Sequence, residues 1–246
     1  MSKDEAISRY SRLRQRRNAD RLRDLAPRRT SGHEEPLPNL DYQTLWNALN
    51  NVAAYIDRHG GNVTVIAVGG AVNTIHLRSR NATHDVDFFN NQLTVNDYEL
   101  LIRGARDAVR RDRRLTEEWF NNRTIFFIPQ ERRNELTEEA LLIHEVIFRA
   151  AGLTVLAAPW QYSFSCKVDR LSGGGLNSAR SYDLDDAVQY IHRYLLQRGG
   201  RQVNKSTVRG WFVHYQLQWT HANETVIARV NAAYRAKFHV GYDVIV

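Results

Sequence analysis

Asp85 and Asp87, within Thr83-His84-Asp85-Val86-Asp87-Phe88-Phe89, are two carboxylates at i and i+2 in a run that reads as a β-strand. Side chains alternate across a strand, so both acids share one face while Val86 and Phe88 take the other. Carboxylates this close repel, and a cation between them relieves the repulsion. Upstream, Gly69-Gly70 closes the apolar run Val65-Ile66-Ala67-Val68. A strand-to-helix turn built from two glycines lets backbone approach a ligand closely, and the helix start after it favours an anion. A magnesium ion on the aspartates would face that same anion. Arg78, Arg80 and Thr83 lie between the two halves as candidate substrate contacts.

A second acidic cluster opens the segment Tyr182-Asp183-Leu184-Asp185-Asp186-Ala187-Val188-Gln189-Tyr190. On a helix, Asp183, Asp186 and Tyr190 share one face, while Leu184, Val188, Ile191 and Leu195 form the packed stripe. Acids in a first turn stabilise the helix dipole by roughly 0.3–1 kcal/mol each. Three acids within so short a stretch exceed what capping requires. Lys167 and Arg180 are their natural partners if this face meets the first cluster.

The order Gly69, Gly70, Arg80, Thr83, Asp85, Asp87 resembles the nucleotidyltransferase superfamily, in particular its toxin-type and minimal members. The resemblance extends more loosely to Lys167 and to Arg180-x-x-Asp183. It implies an α/β fold with a nucleotidyltransferase-like mixed sheet, glycines that line a triphosphate, and aspartates that carry two magnesium ions. The superfamily commonly supplies a third carboxylate from a later core strand. The run expected to be that strand, Thr124-Ile125-Phe126-Phe127-Ile128, has no acid, which leaves Glu145 or Asp169 as substitutes.

The chain also resembles the fungal arginine-containing cyclodipeptide synthases, which make cyclic dipeptides from aminoacyl-tRNA and are marked by an Asp-Asp-x-x-Glu stretch. Asp185-Asp186-Ala187-Val188-Gln189 matches its first two positions and departs at Gln189. Under this reading Asp85, Asp87, Lys167, Asp185 and Asp186 are catalytic. Gly69, Gly70, Arg78, Arg80, Thr83, Arg180 and Asp183 contact substrate, arginyl-tRNA is the donor, and no cofactor is required. Aminoacyl esters are already activated, so their joining needs orientation, a deprotonated amine and oxyanion stabilisation. The alternative, a nucleotidyltransferase acting on RNA or a small molecule, needs magnesium and a nucleoside triphosphate. A third reading is a non-catalytic RNA-binding protein.

Charge supports an RNA partner. Residues 1–29 hold ten basic residues against four acidic ones, +6 of the whole-chain +7. Such an arm suits a polyanion, and Arg12, Arg14, Arg16, Arg17, Arg21 and Arg23 are its candidate RNA contacts. Cys166 is the sole cysteine, which excludes an internal disulfide and a cysteine-based zinc cluster. No run reaches the roughly 18 apolar residues of a membrane span, and the N-terminus lacks the apolar core of a secretory signal. A cytoplasmic protein without membrane partner is expected.

The elements that must position these residues follow from periodicity. Residues 1–38 read as a basic arm and linker, 39–158 as the α/β core, and 159–246 as a helical part. Helices are predicted over Tyr42 to Arg58, from about Ala71 to Leu77, from Thr94 or Asn96 through Val109, and over Trp160–Leu171, Asp183–Leu196, Lys205–Thr220 and Thr225–Phe238. Strands are predicted over Val63–Val68, Asp85–Phe89, Thr124–Ile128 and Leu153–Ala157. Leu141–Arg149 fits either state, and Gly173-Gly174-Gly175 reads as a hinge.

Overall fold

A computed structural model of the protein describes residues 38–174 and 179–246. The arginine arm, and Gly175 of the glycine run, lie outside the described residues. A short strand β1 (Leu40–Asp41) leads into helix α1 (Tyr42–Arg58), whose first turn is capped by the Asp41 side chain on the Thr44 N–H. Strand β2 (Val63–Val68) is apolar and rich in β-branched residues, as befits a central strand covered on both faces. The turn at Gly69 then starts a short helix α2 (Gly70–Ile75). Next come β3 (Ala82–Thr83), β4 (Val86–Phe89) and helix α3 (Val95–Arg111), which begins with a reciprocal Thr94–Asp97 capping box.

After α3 the chain forms β5 (Phe120–Asn121), a 3-10 turn over Arg123–Phe127, and a second over Gln130–Arg132. The remainder is α4 (Arg133–Ile143), β6 (Val146–Ala150), β7 (Leu153–Ala157), α5 (Trp160–Leu171), α6 (Asp183–Gln197), α7 (Lys205–His214) and α8 (His221–Phe238). Five strands make one mixed sheet in the order β5-β4-β2-β7-β6. β2 runs antiparallel to β4 and parallel to β7, while β4 and β5 are parallel. β1 and β3 pair separately, with Leu40 opposite Thr83.

The expected α/β fold with a helical C-terminal part is therefore present. The two parts do not keep separate cores: Val65 and Phe88 of the sheet belong to one buried cluster with Phe164, Ile191, Val230 and Ile245. Among the described residues no helix is long and apolar enough to cross a membrane.

One expected strand is absent. Thr124–Ile128 falls on the 3-10 turn, because Ile125 and Ile128, three apart, are the buried pair, and residues three apart eclipse in that geometry. The ambiguous Leu141–Arg149 resolves into the end of α4 and the start of β6, separated by His144 in the left-handed region at φ 54°.

Candidate functional site

The register of β2 against β4 builds the site. Val68 lies directly opposite Asp87, so the chain leaves β2 into the glycine turn beside the acids. Gly69 sits at φ 63°, a conformation that glycine adopts without steric penalty. Gly70 lies against Thr83: a Cβ on it would come within 2.9 Å of the Thr83 Cβ. Gly70 and the threonine of the motif are thus in close contact, and Asp85 follows Thr83 two residues later. Val86 and Phe88 are fully buried in the core, while Asp85 and Asp87 are half-buried on the opposite face.

The charge on this face is poorly compensated. Burial, then the neighbouring charge of Asp85, pushes the Asp87 carboxyl up to about 7. Burial also raises Asp85, against the pull of Arg123. The Arg123 guanidinium stands 3.5 Å from Asp85 Oδ2 and 3.7 Å from Glu118. Asn121 holds it there, its Oδ1 accepting from the Arg123 backbone N–H at 3.0 Å and from Nε at 3.2 Å. The exposed Arg180 adds a weaker attraction to both acids.

The neighbouring later strand is β5, and it sets Asn121, an amide, beside Asp87. Neither substitute third acid joins the pair. Glu145 is bound by His76 at 2.8 Å, Arg193 at 2.6 Å and Gln197 at 2.8 Å, and the His76 contact leads in holding its carboxyl down at about 2. Asp169 packs against Gly174. Among the described residues no group of three or more His, Cys, Asp or Glu side chains is arranged to hold a metal. Two desolvated carboxylates with raised pKa values still fit one magnesium ion, which commonly takes one or two carboxylates and completes its shell with water and phosphate oxygens. They do not fit the two-ion arrangement that the resemblance implies.

The second acidic cluster is different in kind. Asp183 and Asp186 are fully buried, and Lys167 Nζ bridges them at 2.6 and 2.7 Å. Arg80 grips Asp186 through Nε, at 3.0 Å, and through Nη2. Its guanidinium lies 3.6 Å over the Tyr182 ring. Asp183 also accepts the Arg180 backbone N–H at 2.8 Å, and these bonds, Lys167's foremost, lower its pKa despite burial. From the same helix, Tyr190 hydrogen-bonds Asn73 of α2 at 2.8 Å.

Several expected roles change. Lys167, Asp183, Asp186 and Arg80, expected to face substrate, are engaged with one another in a buried network. Asp185, expected beside Asp186 in a catalytic pair, points away into solvent and pairs with Lys237 at 3.2 Å. The helix turn separates it from Asp186. Arg78 stacks on Tyr42, 3.2 Å from the ring centre, and meets an aromatic ring where a substrate anion was expected. Sequence reasoning missed Asn121 and Arg123. The one available signal was the polar pair Asn121-Asn122 breaking the apolar Trp119-Phe120 run.

The profile of a domain of unknown function, DUF7582, matches residues 39–240. The chain belongs to the DUF7582 family. The match takes in both acidic clusters, the sheet and nearly all of the helical part of this DUF7582 member. No curated protein and no solved structure gives a match.

Proposed function

We propose that the protein is a magnesium-dependent nucleotidyltransferase with RNA as acceptor. The observation that carries the reading is the opposition of Val68 and Asp87, which joins a side-chain-free glycine turn to a carboxylate pair short of positive charge. A magnesium ion on Asp85 and Asp87 would supply charge neutralisation for the triphosphate oxygens. The chain's own groups do the rest. Gly69 and Gly70 present no side chain, so a phosphate oxygen would approach the backbone of the turn closely. Arg123 and Arg180 flank the acids as cationic contacts for phosphate, and Asn121 fixes where Arg123 points. The excess of positive charge in residues 1–29 supports RNA as the acceptor.

The cyclodipeptide synthase reading draws on Asp185 and Asp186 acting together. That is hard to reconcile with one of them facing Lys237 and the other enclosed by Arg80 and Lys167.

The test uses full-length protein, labelled nucleoside triphosphates, RNA and magnesium. Label should enter RNA, and Asp87→Asn should reduce incorporation by about a hundredfold or more. Formation of a cyclic dipeptide from arginyl-tRNA without nucleotide, dependent on Asp185, would overturn the proposal.

A further inference from the structure

We infer that the 3-10 turn Arg123–Phe127 is a nucleobase-binding platform, on which Phe126 and Phe127 stack a base while Arg123 meets the attached phosphate. This rests on the nucleotidyltransferase reading and names what that site recognises. Ile125 and Ile128 are 4% and 2% exposed and pin the turn to the core, whereas Phe126 and Phe127 are each 57% exposed. Because residues three apart eclipse in a 3-10 helix, burying 125 and 128 turns 126 and 127 outward. A single exposed phenylalanine needs no explanation. Here two adjacent rings stand on a segment whose first residue contacts Asp85.

The segment is firmly held, as a stacking surface must be. Arg123 is tied twice to Asn121, and the Ile125 N–H donates to the Asn122 carbonyl at 3.1 Å. Arg133 Nε donates to the Ile128 carbonyl at 3.0 Å, and the turn packs against β4, which carries Asp87. A 3-10 helix rises about 2 Å per residue, which separates Phe126 from Arg123 by about 6 Å along the axis. That spacing lies within the reach of one nucleotide, base at one end and phosphate at the other. An aromatic face beside a guanidinium suits a base without selecting its identity, since every base has a π-face. The base can belong to the nucleoside triphosphate or to the end of the RNA acceptor.

The experiment titrates full-length protein with two fluorescent ligands, 2-aminopurine riboside triphosphate and a short single-stranded RNA ending in 2-aminopurine. Stacking quenches the fluorophore. The Phe126→Ala/Phe127→Ala double variant should bind at least one of them about tenfold more weakly, and Phe126→Tyr/Phe127→Tyr should retain binding. Ribose triphosphate lacking a base should bind both wild type and the alanine variant alike. Whichever ligand loses affinity identifies the source of the base. Leu142→Ala, at an 87% exposed position on α4, should leave both affinities unchanged. Equal affinity of wild type and the alanine variant for both ligands, or no quenching by wild type, overturns the platform. If the alanine variant binds normally while Asp87→Asn abolishes transfer, the platform alone falls. If the phenylalanines bind base but no variant or wild type transfers nucleotide, the platform stands and the enzymatic reading falls.

Discussion

Asp85–Asp87 and Asp183–Asp186 are two pairs of the same side chain that meet opposite electrostatic fates. The second pair is fully buried and has Lys167 between its carboxylates and Arg80 on Asp186. The first is less buried, yet its nearest guanidinium stands 3.5 Å away and is shared with Glu118. Asp183 is lowered and Asp85 and Asp87 are raised. On the proposed function the contrast separates a frame from a site: where cations bridge the acids, charge fixes geometry, and where cations fall short, a ligand would supply the missing charge. Arg80 links the two, since it follows the glycine turn that the site uses and belongs to the pairing that the frame requires.

The comparison breaks most visibly at Asp186. Asp186→Ala leaves Lys167 and Arg80 buried without their shared carboxylate and should cost about 3–5 kcal/mol in urea denaturation. A loss under about 1 kcal/mol would mean that the frame is solvated. Glu145 is a second well-partnered acid, and Glu145→Gln should cost about 1–3 kcal/mol. Its carboxyl is held at about 2, so this stabilisation is complete above the ordinary carboxylate pKa near 4.5 and fades as pH falls through about 2. Denaturation midpoints of wild type and variant should converge toward that acid limit.

Asp87 should behave in the opposite sense. Its folded pKa of about 7 lies above the ordinary value of 3.8, so the folded chain binds the extra proton, and stability falls as pH rises from about 4 to about 7. Asp87→Asn should remove that slope and gain on the order of 1 kcal/mol at neutral pH. A variant less stable than wild type at pH 7.5 would show that Asp87 is already compensated. The smallest effect belongs to Asp185. Asp185→Asn should change stability by less than about 0.5 kcal/mol and leave nucleotide incorporation intact. A large loss of activity would return this residue to the site.

Elements with sustained periodicity were legible from sequence: Tyr42–Arg58, Leu153–Ala157 and Trp160–Leu171 have the predicted bounds. The pairing of the glycine turn with Asp85 and Asp87 was legible too, because a strand, a tight turn and an alternating acidic strand are each local patterns. Asn121 and Arg123 were not. β5 has two residues, too few to show alternation, and the apolar run after it drew the strand assignment onto Thr124–Ile128. The frame was half visible: Lys167 and Arg180 were foreseen beside the second cluster, but Arg80, 106 positions from Asp186, was assigned to substrate. Local sequence shows which face of a helix carries charge; it does not show which distant residue neutralises it.

The most direct measurement is carboxyl carbon NMR of the aspartates across a pH titration, with and without magnesium, assigned through Asp87→Asn. One aspartate should titrate near 7 in the absence of metal and shift several tenths of a unit or more downward when magnesium is added. If every aspartate titrates in the ordinary carboxylate range and none responds to magnesium, the acid pair is no site and the contrast with Asp183–Asp186 has no functional meaning.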